Sequence, residues 1–92
     1  MEKTSIEKDL EKLFCSKVKD EGGLAIKLVN ISTLGLPDRL VLQKGGRIDF
    51  VEFKDEGLNM RPVQKATALK LQQLGFKVHL INSYTTLNAF FE

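Results

Sequence analysis

Cysteine occurs once, at Cys15, in a chain of 92 residues. That single thiol excludes an internal disulfide and leaves a zinc-ribbon reading without its ligands. Long apolar runs are missing as well. No stretch approaches the ~20 consecutive apolar residues of a membrane-spanning helix. The start, Met1-Glu2-Lys3-Thr4, lacks the apolar core of a signal peptide. A strong excess of one charge is also lacking, since the formal net charge is only +2. This balance is weak evidence for a nucleic-acid partner but does not exclude one, because phosphate contacts depend on where the cations lie. Arg39, Lys44, Arg47, Lys54, Arg61 and Lys65 cluster in the middle third, with Asp38, Asp49, Glu52, Asp55 and Glu56 among them. The sequence has no repeats, linkers or low-complexity tracts. The expectation is one domain over residues 1–92, near the lower size limit for independent stability, and the simplest location is a reducing cytoplasm.

Residues Ser5 to Asp20 read as an amphipathic helix: Ile6, Leu10, Leu13, Phe14 and Val18 recur at helical spacing, and Gly22-Gly23 ends the pattern. Leu24 to Val29 is a short strand candidate, followed by a polar loop over Asn30 to Leu36. Arg39 to Gln43 and Arg47 to Lys54 form a hairpin around Lys44-Gly45-Gly46. After a loop over Asp55 to Arg61, Pro62 suits the first turn of a second helix. Val63, Ala66, Thr67, Leu71 and Leu74 are expected on one face of it, and Gly75 stops it. Phe76 to Ile81 reads as a last strand, and Ser83 to Phe91 as a short closing helix capped by Ser83. The order α-β-β-β-α-β with a terminal α predicts an α/β or α+β fold with a mixed sheet: an antiparallel hairpin, then a helical crossover.

The hairpin carries charge where burial is expected. Side chains alternate along a strand, so Ile48, Phe50, Glu52 and Lys54 share one face, and Asp38, Leu40 and Leu42 share a face of the partner. A two-residue Gly45-Gly46 loop would pair Leu42 with Asp49 and place Asp38 opposite Phe53. A three-residue loop with Gly46 left-handed in a bulge pairs Leu42 with Ile48, Leu40 with Phe50 and Asp38 with Glu52. The second register matches apolar with apolar and is favoured. Two carboxylates at that spacing repel unless something positive lies between them, and a hard divalent cation such as Mg²⁺ takes oxygen ligands. The plainer alternative is a salt-bridged hairpin end, with Arg39 and Lys54 neutralising the acids.

Pro37-Asp38, then Glu52-Phe53-Lys54, follows the P-D…E-x-K signature of the PD-(D/E)xK nuclease superfamily. Its context resembles the VRR-NUC (virus-type replication-repair nuclease) family. The residues that carry the resemblance are Gly35-Leu36-Pro37-Asp38-Arg39, Gly45-Gly46-Arg47, Phe50-Val51-Glu52-Phe53-Lys54, Gln64, and Leu71 with Gly75, with Gly22-Gly23 and Lys27 upstream. Nearly the whole chain is covered, in the same element order.

The resemblance implies a restriction-endonuclease-like core and a metal-dependent DNA endonuclease with Mg²⁺ or Mn²⁺. It implies Asp38, Glu52 and the Phe53 carbonyl as metal ligands, Lys54 as the base facing phosphate or water, and Gln64 beside the site. It also implies an acid on the first helix, for which Glu7 and Glu11 compete. Ile6, Leu10, Phe14 and Val18 sweep an arc with Glu7 inside it and Glu11 at its edge, so Glu7 is preferred, with a role in holding metal, either directly or through water. The alternative for Glu7 is a capping box, Thr4-x-x-Glu7. Arg39, Arg61, Lys65 and Lys27 are candidate DNA contacts. His79 is expected to face solvent or an interface, and Cys15 to be a partly buried small residue. Small stand-alone members of the family look like phage proteins and resemble Holliday-junction resolvases. A homodimer acting on branched DNA in a bacterial host cytoplasm is therefore the specific expectation. The alternatives are a nuclease for flaps or linear ends within a replication complex, and a non-catalytic DNA-structure binder on the same fold.

Overall fold

The structure, a computed structural model, describes residues 5–29 and 34–92. Most of the expected loop over Asn30 to Leu36 and the Thr4 end of the capping-box alternative lie outside the described residues. Helix α1 (Glu7–Asp20) is followed by strands β1 (Leu24–Lys27), β2 (Arg39–Gln43) and β3 (Arg47–Phe53), helix α2 (Pro62–Gln73), strand β4 (Lys77–Ile81) and helix α3 (Tyr84–Phe90). The strands form one mixed sheet in the order β1-β2-β3-β4. The first three are antiparallel, and β4 joins β3 in parallel after the α2 crossover. Element order and sheet type match the sequence expectation. The first strand is shorter than expected, ending at Lys27 rather than Val29, and β3 ends at Phe53 rather than Lys54.

Alternation sorts the sheet into two unequal faces. One face carries Val41, Asp49, Val51, Phe53 and Ile81, all essentially inaccessible to water. Helix α1 lays Leu10, Phe14 and Val18 on it, and α3 adds Leu87 and Phe90. The Phe14 ring meets Phe53 edge-on at 5.3 Å and Phe90 at 4.8 Å. Burial of these side chains, worth ~1.5–3 kcal/mol each, is the main stabilisation available to so small a chain. Helix α3 starts as expected: the Ser83 hydroxyl accepts the Thr86 N–H at 3.0 Å.

The opposite face carries Leu24, Ile26, Leu40, Leu42, Ile48, Phe50 and Glu52, which the strand registers align with one another. Among the described residues, α2 is the helix on this side, packed towards β4, and the Phe76 ring meets Phe50 edge-on at 5.7 Å. The structure corrects the face expected for α2 in part, since Thr67 and Leu71 are half-buried as expected while Val63, Ala66 and Leu74 are exposed. Its buried residues are Gln64 and Ala68, whereas Val63 and Leu74 are exposed by 43% and 73%. The polar Gln64 turns inwards because the buried acid Glu52 lies beneath it.

Candidate active site

The hairpin adopts the register that places the acids together. Leu42 pairs with Ile48 and Leu40 with Phe50, so Asp38, one residue before β2, falls opposite Glu52. The turn is a tight 3₁₀ turn over Lys44–Gly46 in which both Gly45 and Gly46 have positive φ, 82° and 78°, rather than Gly46 alone. Positive φ at two successive positions is accessible to glycine at little cost. The turn chemistry therefore sets the register, and the register sets the site.

Asp38 is held from two sides. Its Oδ2 accepts the Phe53 N–H at 2.8 Å, and its carbonyl accepts the Leu28 N–H at 2.9 Å. The loop before it lies directly on α2. A Cβ on Gly35, whose φ is +69°, would sit 2.4 Å from the Val63 carbonyl oxygen, and the Thr67 hydroxyl donates to the Leu34 carbonyl. This close approach explains why a glycine stands three residues ahead of the aspartate.

Glu52 is 3% exposed. Its Oε2 accepts from the Gln64 amide at 2.9 Å and lies 3.4 Å from the Lys54 ammonium. The Gln64 amide is oriented by the helix start, because its Oε1 accepts the Arg61 N–H at 2.8 Å. Both donors converge on Oε2, while Oε1 is buried without a hydrogen-bond partner. An orphaned buried carboxylate oxygen costs on the order of 1–3 kcal/mol. Burial pushes the Glu52 carboxyl above its usual range and the Asp38 charge pushes it further, against the pull of Lys54 and Gln64. Burial likewise raises Asp38, with the Phe53 N–H opposing.

Helix α1 brings two acids near this cluster and ties up one of them. Glu11 is paired with Arg39, whose Nε reaches its Oε2 at 2.8 Å. The Arg39 Nη1 is bound to the Ala25 carbonyl at 3.0 Å. Glu7 is half-buried, and its carboxyl is raised by burial first and then by Asp38, with Lys54 opposing. The structure thus brings Asp38, Glu52, Lys54, Gln64 and Glu7 into one electrostatic neighbourhood. Among the basic candidates, Lys27 is exposed at the end of β1 and close enough to Asp38 to favour its charge. Arg61 and Lys65 are exposed at the start of α2, and Arg39 faces into the protein.

No group of three or more His, Cys, Asp or Glu side chains able to hold a metal occurs among the described residues. The two carboxylates still fit a hard divalent cation, because Mg²⁺ is commonly held by one or two carboxylates with the remaining positions filled by water and phosphate oxygens. The orphaned Glu52 Oε1 is an oxygen acceptor of the type such an ion takes.

Two features escaped the sequence reading. His79 was expected to face solvent or an interface. Instead its Nε2 lies 2.9 Å from Asp49 Oδ1, with its ring edge-on to Phe90, and Arg47 holds the other Asp49 oxygen at 2.7 Å. Asp49 alternates with Val51 and Phe53, so parity alone marks it as a buried acid in need of partners. The second is Asp55, whose Oδ1 accepts the Ile6 N–H at 2.9 Å across 49 residues. No local spacing announces that contact.

The fold and this constellation define a restriction-endonuclease-like protein of the PD-(D/E)xK type. A solved structure described as a "VRR_NUC domain" superposes with a TM-score of 0.86 at 28% identity, covering 96% of each chain. A protein of Acyrthosiphon pisum secondary endosymbiont phage 1, described as "Putative nuclease p44", is 39% identical over 77 residues, 84% of this chain and 83% of that one. No family model matches the sequence. The chain belongs to the VRR-NUC family of nucleases.

Proposed function

We propose that the protein is a divalent-metal-dependent DNA endonuclease that hydrolyses phosphodiester bonds, with Asp38, Glu52 and the Phe53 carbonyl as ligands of Mg²⁺ or Mn²⁺ and Glu7 contributing directly or through water. The observation that carries this reading is Glu52, a buried carboxylate with one oxygen clasped by Gln64 and Lys54 and the other without a partner. A buried acid kept for structure alone would have both oxygens satisfied. The cation would neutralise charge developing on the phosphoryl oxygens and acidify a bound water.

The residues of the chain do the rest. Gln64 holds Glu52 in one rotamer, so that Oε1 keeps its direction. Lys54 places an ammonium beside Oε2, where it orients water or contacts the scissile phosphate. Lys27, Arg61 and Lys65 are exposed around the acids and contact the flanking phosphates; Arg39 serves the site from within through Glu11. The preferred substrate is branched DNA, and the working form is a homodimer. Cleavage of linear, flap, fork and four-way DNA, compared in Mg²⁺, Mn²⁺ and EDTA, tests both parts. Four-way junctions should be cut fastest and EDTA should stop all cutting. Binding without cutting in either metal would instead leave a DNA-structure binder.

One observation favours a second reading. Val41, Val51, Phe53 and Phe90, apolar residues that need cover from either a helix or a second subunit, are buried by α1 and α3 within the subunit. A monomer acting on flaps or ends is therefore the alternative, and equal cutting of flap and four-way substrates would favour it.

A further inference from the structure

We infer that Asp55 is a positioning residue, holding the start of α1 so that Glu7 stays beside Asp38 and Lys54; this rests on the metal-site reading above. The first turn of a helix has backbone N–H groups with no partner inside the helix. The residue at the cap of α1 is Ile6, and no side-chain cap hydrogen bond forms there. The acceptor comes instead from the loop after β3: Asp55 Oδ1 takes the Ile6 N–H at 2.9 Å and the Glu56 N–H at 3.0 Å. A carboxylate at a helix N-terminus also meets the positive end of the helix dipole.

The location of this contact matters more than its strength. Asp55 directly follows Lys54, and Ile6 directly precedes Glu7. This hydrogen bond therefore joins the residue after the site lysine to the residue before the helix acid. The Asp55 loop is itself anchored, since Lys54 N–H donates to the Ile81 carbonyl at 3.0 Å and Gly57 N–H to the Asn82 carbonyl at 3.2 Å. Asn82 in turn donates through Nδ2 to the Leu58 carbonyl at 2.9 Å. Ile6 packs against the core at the other end. Helix α1 has 14 residues and is fixed along its length by Leu10, Phe14 and Val18, so its first turn is the part most able to fray. Asp55 pins that turn.

The test is a double-mutant cycle read by Mn²⁺ titration calorimetry on the protein alone, with amide hydrogen exchange at Ile6 to Leu10. Asp55→Ala should weaken Mn²⁺ binding about tenfold and speed exchange in the first turn. Glu7→Gln should weaken Mn²⁺ similarly while leaving exchange unchanged. The double variant should bind no more weakly than Glu7→Gln alone, since Asp55 acts through Glu7. Asp55→Asn, which keeps the Oδ1 acceptor, should restore most of the affinity. Additive losses, or faster exchange in Asp55→Ala with wild-type Mn²⁺ affinity, would overturn the inference. If Asp55→Ala fails to fold, Asp55→Ser, too short to reach Ile6, replaces it in the same cycle. Wild-type protein that binds no Mn²⁺ would overturn the metal-site reading itself, a separate outcome.

Discussion

At the scale of single residues, Glu52 sets two expectations of opposite sign. Replacing it with glutamine removes a buried charge next to Asp38, so Glu52→Gln should stabilise the metal-free protein by about 1 kcal/mol at neutral pH, read as a higher Tm in EDTA. The same change should abolish cleavage. Stability lost at a site in exchange for function is the expected signature of a charge held for chemistry. The pH dependence follows from the same cause. Burial raises the carboxyls of Glu52, Asp38 and Glu7 above their unfolded values. The folded state therefore binds protons more readily than the unfolded one. Their contribution to stability is fully present below the usual carboxylate range and is lost as pH rises through the raised folded values. In EDTA, Tm should fall as pH rises from about 4 towards neutrality, and Glu52→Gln should flatten that slope. A slope of the same steepness in the variant would assign it to other groups. Lys54→Ala separates chemistry from affinity: cleavage should drop about 10²- to 10⁴-fold, while DNA binding in Ca²⁺ survives.

Among the elements, the strongest constraint is the loop that carries Asp38 over α2. Gly35→Ala would combine a left-handed φ of +69° with a Cβ 2.4 Å from the Val63 carbonyl, so it should cost roughly 2–5 kcal/mol. Gly45→Ala, with positive φ but nothing within 4 Å of its Cβ, should cost only about 1–2 kcal/mol. Urea denaturation of the two variants checks the difference; equal losses would mean that the loop can lift off the helix. Periodicity made the elements legible here, because period-2 and period-3.6 patterns depend on local spacing alone. The hairpin register was legible because only one turn length matches Leu40 with Phe50 and Leu42 with Ile48. The buried face of α2 was not, since Gln64 is turned inwards by Glu52, a contact across 12 residues. Its exposed Val63 and Leu74 mimic a core face. The His79–Asp49 contact and the Asp55–Ile6 bond escaped for the same reason: parity marks Asp49 as buried, but each contact joins residues far apart in sequence, and local spacing does not name the partner.

For the whole molecule, the question is what a single cutting site can do. A subunit with one copy of the Asp38–Glu52 site would cut one strand at a time, whereas symmetric resolution of a four-way junction needs two nicks related by a two-fold axis. A C2 dimer supplies that geometry. The buried side of the sheet cannot form its interface, because α1 and α3 already occupy it. The other side remains available: Leu24, Ile26 and Ile48 are 62%, 42% and 41% exposed, neighbours on one sheet face with Leu40, Leu42 and Phe50 between them. Contiguous apolar surface of this kind marks interaction sites more often than lone surface leucines do. A stable interface needs ~800 Å² per partner, so the patch would be its centre and the surrounding polar residues its rim. Ile26→Glu should therefore leave the fold nearly as stable, within about 0.5 kcal/mol for an exposed site, and still break the dimer. Light scattering at micromolar concentration should report about twice 10.4 kDa for the wild type and 10.4 kDa for the variant. The variant should still nick flaps but lose the paired cuts of junction resolution. A wild-type protein that runs at 10.4 kDa and cuts linear and branched DNA equally would rule out the dimer and leave the monomeric flap nuclease.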